Sequence, residues 1–192
     1  MQEIHLDGVK SLYIQLMYAC NFACKHCFHG DNLKSRARIS LEDLRRVIRH
    51  FRAKGGLQEC VFLGGEPFLY PDLQEALDSA RELGIGTVVC TNGHRFTHSK
   101  ILANASRIGF LRVSVDGLAS THDYIRSLGS FDDACTAIRT AAGAGIKVGV
   151  TLTVMSGNVA EIPTLASTVA DLGATELKLH QLRRVGNAAG HP

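Results

Sequence analysis

The sequence has no tryptophan, only four prolines, and only 6% aromatic residues. No apolar run approaches the ~20 residues that a membrane-spanning helix needs. Met1–Lys10 carries acids and lacks an apolar core, so it does not read as a secretory signal. Net charge is small: 21 Lys and Arg against 18 Asp and Glu leave a formal +3, too little to argue for nucleic acid or an anionic membrane as partner. Without a secretion signal, the six cysteines do not read as a disulfide framework. What is present is an ordinary globular composition, 45% apolar and 20% charged over 192 residues. At roughly 150 residues per domain, that is one domain or one with a short extension, and it is long enough to bury a core.

Strand-like and helix-like segments alternate. Strands are predicted over Leu12–Met17, Gln58–Leu63, Thr87–Thr91, Phe110–Asp116, Lys147–Val154 and Glu176–Gln181. Helices are predicted over Leu41–Lys54, Pro71–Leu83, His98–Ser106, Phe131–Ala142 and Ala160–Leu172, with Ser40 as N-cap of the first. Alternation with short connections implies a parallel sheet with right-handed crossovers. A full eight-unit barrel needs ~250 residues, so six units in this length predict an α/β fold of the partial (β/α)6 TIM-like barrel type, open, with a parallel sheet. A doubly wound sheet is the alternative. Strand patterning favours the barrel. Leu111, Val113 and Val115 share one face while Arg112, Ser114 and Asp116 share the other, and Val148, Val150 and Leu152 oppose Gly149, Thr151 and Thr153. A strand between two helical layers is apolar on both faces; these have one apolar and one polar or small face, which suits helices outside and a polar ligand inside. Sites in such folds sit at the C-terminal ends of the strands.

Three cysteines crowd the loop after the first strand: Cys20, Cys24 and Cys27, in the run Cys20-Asn21-Phe22-Ala23-Cys24-Lys25-His26-Cys27. Three thiolates there can grip three irons of a cubane cluster, for which four cysteines are the norm. No fourth lies nearby, so one iron is left for an outside ligand. Zinc is the competing reading, because His26 or His29 can complete a Cys₃His set. Unliganded thiols are a third. Cys60, Cys90 and Cys135 are scattered and read as small buried hydrophobes.

At this point the chain resembles the radical SAM (S-adenosylmethionine) superfamily, whose CxxxCxxC loop follows the first strand. Gly64-Gly65-Glu66-Pro67 after the second strand looks like the family's GGE element, which holds the amino group of SAM. Glycines there let backbone carbonyls approach a cation, and Glu66 adds negative charge. Thr91-Asn92-Gly93, and Ser114-Val115-Asp116-Gly117 followed by His122-Asp123 and Arg126, resemble patterns of SPASM-type peptide maturases. The resemblance implies that Cys20, Cys24 and Cys27 hold a [4Fe-4S] cluster, and that Ser114 and Arg126 lie near the SAM carboxylate. It also implies that Asn158 lies near the ribose or methionine moiety, and that His26, where the family often has an aromatic residue, stacks near adenine. The implied activity is reductive cleavage of SAM to a 5′-deoxyadenosyl radical, which abstracts hydrogen from a substrate, most simply a peptide or protein. The implied electron donor is a flavodoxin or ferredoxin, and the implied compartment the cytoplasm.

The resemblance spans residues 11 to about 186, and the chain reads as one core domain over residues 1–192. Many peptide maturases continue into a cysteine-rich extension; nothing like it follows His180, while Leu182-Arg183-Arg184-Val185-Gly186-Asn187-Ala188 resembles the segment leading into one. The chain is then either cut before such an extension or short by nature. Lys178 and His180 point inward on the last strand as candidates for substrate contact or proton transfer, or serve as edge-strand charges. Two other functions compete. The run Cys27-Phe28-His29-Gly30 with Gly-Gly-Glu-Pro also looks like viperin-type nucleotide dehydratases, which favours a nucleotide or other small molecule. A non-catalytic zinc-binding module is the other.

Overall fold

A computed structural model describes residues 8–190. The reading of Met1–Lys10 as no secretory signal falls mostly outside these residues. Six strands form one sheet in sequential order, every neighbouring pair parallel: β1 Ser11–Gln15, β2 Glu59–Leu63, β3 Gly86–Thr91, β4 Phe110–Ser114, β5 Lys147–Val154 and β6 Glu176–Gln181. β1 and β6 do not pair, so the sheet curls into an open half-barrel rather than a closed one. The sequential order rules out the doubly wound alternative, whose strand order reverses at a switch point.

Among the described residues six α-helices fill the five crossovers, α4 and α5 sharing the one between β4 and β5: α1 Leu41–Ala53, α2 Leu73–Arg81, α3 His98–Ala103, α4 Ala119–Ile125, α5 Ser130–Gly143 and α6 Ile162–Asp171. α1 starts where the sequence places it. The Ser40 hydroxyl accepts from the Asp43 N–H at 3.0 Å and donates to the Asp43 carboxylate at 2.7 Å, a short version of the reciprocal cap. Leu44 and Ile48, four apart on one face, are fully buried against the sheet.

The core lies between the helices and the outer face of the sheet. Leu111, Val113, Val148, Val150 and Leu152 are buried in it, with Ile138 and Ala141 of α5 and Leu165 and Val169 of α6. At ~0.8 kcal/mol per buried methylene, this face supplies the main drive to fold. The inner face lines a cavity of about 760 Å³, with Val61 and Leu63 from β2, Val88 and Cys90 from β3, and Arg112, Ser114, Thr151, Thr153, Lys178 and His180 from β4 to β6.

Two differences from the sequence reading stand out. α4 is not predicted, because seven residues in a loop carry no usable periodicity. It forms around a distant side chain: Glu161, at the start of α6, accepts from the Leu118 N–H at 2.7 Å and the Thr121 hydroxyl at 2.6 Å, capping the first turn from outside. Of the scattered cysteines, Cys60 and Cys135 are buried as expected, but Cys90 is half-buried and faces the cavity. Among the described residues, no helix is long and apolar enough to cross a membrane.

Candidate functional site

The cysteine loop runs from the end of β1 across the C-terminal mouth of the half-barrel. Two anchors fix its entry: the Gly65 N–H donates to Met17 O at 2.8 Å, and the Glu66 N–H to Ala19 O at 3.1 Å. The contact explains the glycine. A Cβ on Gly65 would lie 2.1 Å from Ala19 O and 2.3 Å from Tyr18 O, so only glycine lets the loop cross here. Further along, the Lys25 N–H donates to Ile125 O of α4 at 2.9 Å. The far side is clasped by the segment after β6. Asn187 donates from its backbone N–H to Cys27 O and from Nδ2 to Cys24 O, both at 2.9 Å. Gly186 sits so close that a Cβ would lie 2.5 Å from Cys27 O.

Cys20, Cys24 and Cys27 all line the 760 Å³ cavity. Burial pushes the Cys20 thiol up to about 12 and the Cys24 thiol upward as well, opposed at Cys20 by the Phe22 N–H and at Cys24 by Arg126. Three cysteines on one short loop, facing one cavity, fit a three-point grip on a [4Fe-4S] cluster with one iron left open. The zinc reading fits less well. His26 Nε2 lies 2.7 Å from Asp116 Oδ2 and His29 Nε2 3.3 Å from Gly64 O, which leaves each ring only its Nδ1 for a metal. Among the described residues, no three His, Cys, Asp or Glu side chains gather closely enough to surround one ion.

Glu66 does not line the cavity; it is fully buried beneath the Gly-Gly turn. Its Oε1 accepts from the Phe68 N–H at 3.1 Å and the Thr91 hydroxyl at 2.9 Å, and its Oε2 from the Asn92 N–H at 2.8 Å. Burial outweighs these neutral donors and the Arg126 charge and lifts its carboxyl to about 7. Pro67, also buried, opens the short turn that returns the chain. Glu66 thereby locks the end of β3 to the turn after β2. Gly64, Gly65, Thr91 and Asn92 remain on the cavity wall. Asn92 Nδ2 donates to Asn21 Oδ1 at 2.8 Å, tying β3 to the cysteine loop.

Opposite stands a second buried carboxylate, Asp116. Its Oδ2 accepts from Arg126 Nε at 2.6 Å and lies 2.7 Å from His26 Nε2, and its Oδ1 accepts from the Thr153 N–H at 2.8 Å. Burial alone would raise its pKa, but Arg126 and His26 outweigh burial and hold it well below the usual carboxylate range. His122 accepts the Asp116 N–H on Nδ1 at 3.1 Å, so its proton is on Nε2, and burial lowers its pKa to about 4. Asp123 accepts from the Gly129 and Phe131 N–H groups and caps α5. Asn158 is fully buried: Nδ2 donates to Asp116 O and Thr153 O, both at 2.9 Å, and Oδ1 accepts the Met155 N–H at 2.8 Å.

The structure thus brings Cys20, Cys24, Cys27, Gly64, Gly65, Thr91, Asn92, Ser114, Arg126, Lys178 and His180 around one cavity. Glu66, Pro67 and Asp116 lie directly behind its wall. His26 borders both this cavity and a second one of about 800 Å³, which Asn158 also lines, along with Val154–Gly157 and Leu182. His26 Nδ1 is buried and has no partner among the described residues. Sequence reasoning missed three contributors. Glu161 acts from another helix. Asn21 is an ordinary residue inside the cysteine run. Asn187 had one signal, a Gly-Asn pair close after the last strand.

Residues 14–167 match the Radical SAM superfamily. Mycofactocin maturase MftC of Mycobacterium tuberculosis is 32% identical over 187 residues, covering 94% of this chain and 46% of that protein. Pre-heme d1 synthase of Dinoroseobacter shibae is 32% identical over 178 residues, covering 87% of this chain and 42% of that protein. The chain therefore spans about half the length of the curated relatives it matches. The crystal structure of Streptococcus suis SuiB bound to S-adenosylmethionine superposes with a TM-score of 0.80 at 20% identity, over 93% of this chain and 41% of that one, which shows a shared fold. The family match runs from β1 into α6, and this chain belongs to the radical SAM superfamily of enzymes.

Proposed function

We propose that the chain is the core of a peptide-modifying radical SAM enzyme: it holds a [4Fe-4S] cluster on Cys20, Cys24 and Cys27 and binds SAM between the cysteine loop and the Asp116 wall. The observation that carries this reading is the convergence of all three cysteines on the mouth of one cavity. When bound, the cluster supplies an electron that splits SAM into methionine and a 5′-deoxyadenosyl radical. The protein's part is orientation and exclusion of water. The Gly64–Gly65 turn, Asn92 and Ser114 offer polar contacts to the methionine end. Arg126, with its Nε committed to Asp116, is held ready for a carboxylate. His26, oriented by Asp116, borders the second cavity, where an adenosine fits beside Val154–Gly157.

A peptide is the favoured substrate because MftC is a maturase and SuiB has a structure bound to precursor peptide SuiA, with a TM-score of 0.79 to this chain. The relative that makes pre-heme d1 supports a small-molecule substrate as the second reading. A flavodoxin or ferredoxin in the reducing cytoplasm suits a cluster of this kind. The test is anaerobic reconstitution, then SAM and dithionite, assayed for 5′-deoxyadenosine. Wild type forms it and Cys24→Ala does not. A fully reconstituted sample that forms none removes the reading.

A further inference from the structure

One row across the inner wall is polar and unclaimed by the protein. Ser114, Thr151 and Lys178 stand side by side on β4, β5 and β6, in register as Ser114↔Thr151 and Thr151↔Lys178. Ser114 and Lys178 line the cavity with Thr151 between them. The Thr151 hydroxyl is buried without a hydrogen-bond partner among the described residues. Lys178 makes no ion pair among them either. The neighbouring cations are accounted for. Arg112, one row deeper, is paired with Glu176 at 2.7 Å, and Arg126, paired with Asp116 at 2.6 Å, is already assigned to the SAM carboxylate. The inward acid Glu59 is turned to the Ser11 hydroxyl at 2.6 Å. A buried hydroxyl left unpaired is destabilising, so it marks a place where a ligand group belongs.

We propose that Lys178 and Thr151 form a carboxylate subsite, and that the substrate is a peptide presenting a carboxylate there, from an Asp or Glu side chain or from its C-terminus. This rests on the peptide reading above and names the chemistry that reading leaves open. An ammonium with an adjacent hydroxyl makes two contacts to one carboxylate, the ammonium contact charge-assisted. Ser114, at the head of the row, stays with SAM; the subsite begins one strand further on.

The experiment uses reconstituted protein with SAM bound and three probes: N-acetyl-Gly-Glu-Gly amide, its Gln counterpart, and N-acetyl-Gly-Gly-Gly free acid. Binding is read by saturation-transfer NMR. A carboxylate probe binds about tenfold tighter than the Gln amide, and the Glu and free-acid arms show which source of carboxylate fits. Lys178→Gln erases the difference, Lys178→Arg restores it, and Thr151→Val reduces it by about threefold. Equal binding of all three probes, or no binding of any, overturns the subsite. So does discrimination that survives Lys178→Gln, or a loss of SAM affinity matching the loss of probe affinity, since the pair would then serve SAM. The two claims fail separately. SAM cleavage without carboxylate discrimination sinks the subsite alone, and discrimination without SAM cleavage sinks the enzymatic reading alone.

Discussion

Two carboxylates, each fully buried, stand on opposite sides of the same cavity, and their environments push them apart. Glu66, on the β2–β3 side, is surrounded by neutral donors and is lifted to about 7. Asp116, on the β4–β5 side, faces Arg126 and His26 and is held low. The lesson is that burial alone does not set the charge of a site. Glu66 acts as a bolt, accepting three hydrogen bonds that join the turn after β2 to the end of β3. Asp116 acts as a fixed negative charge that orients two cavity-facing side chains. The inner walls differ less sharply: β2 and β3 contribute Val61, Leu63, Val88 and Cys90 with Glu59 and Thr91 at their ends, whereas β4 to β6 contribute Arg112, Ser114, Thr151, Thr153, Lys178 and His180.

The comparison is broken hardest at Asp116. Asp116→Asn strands Arg126 in the interior, and losing one partner of a buried pair costs about 3–5 kcal/mol. Urea denaturation reads this directly, and a loss below about 1 kcal/mol means water already reaches the pair. Next comes the cysteine loop on the opposite side. Gly65→Ala drives a methyl into Ala19 O and Tyr18 O, and overpacking of this kind costs about 1–3 kcal/mol. Iron bound per chain after reconstitution falls sharply with it, while normal iron uptake shows that the loop crossing is not needed.

Glu66→Gln costs about 1–3 kcal/mol, since the new amide meets a donor where an acceptor stood. Its pH signature separates it from Asp116. Glu66 has a folded value of about 7 against an ordinary 4.5, so the native chain binds more protons and stability falls as pH rises across that window. His122, at about 4 against 6.5, has the opposite sign, and stability rises as pH climbs through its window. The two offset each other in wild type, and Glu66→Gln unmasks the rise; a melting midpoint just as flat with pH as wild type's removes the assignment. Asp116 contributes below its ordinary 3.8, where stability is lost as pH falls. The smallest effect is at the clasp. Asn187→Ala removes the Nδ2 bond to Cys24 O, worth about 1 kcal/mol. It speeds iron loss to a chelator a few-fold, and an unchanged rate means the segment after β6 does not brace the loop.

Much of this was legible along the chain. Cys20, Cys24 and Cys27 lie within eight residues of one another, and the alternation of Leu111, Val113 and Val115 with Arg112, Ser114 and Asp116 shows which strand face packs and which turns to the cavity side. Both are short-range patterns, so they survive without three-dimensional information. The roles of Glu66 and Asp116 were not legible, because a carboxylate's charge depends on donors brought from Phe68, Thr91 and Asn92 in one case and from His26, Arg126 and Thr153 in the other.

By itself, then, the sequence determined the number and order of the βα units, the polar inner face and the three-cysteine loop, since each follows from local spacing and from the need to bury apolar surface. Only the tertiary structure decided that Glu161 starts α4, that Asn187 clasps the cysteine loop, and that Lys178 and Thr151 stand together without a partner. Those relations join residues dozens of positions apart, and chain spacing carries no record of which distant groups the closing of the sheet brings within reach.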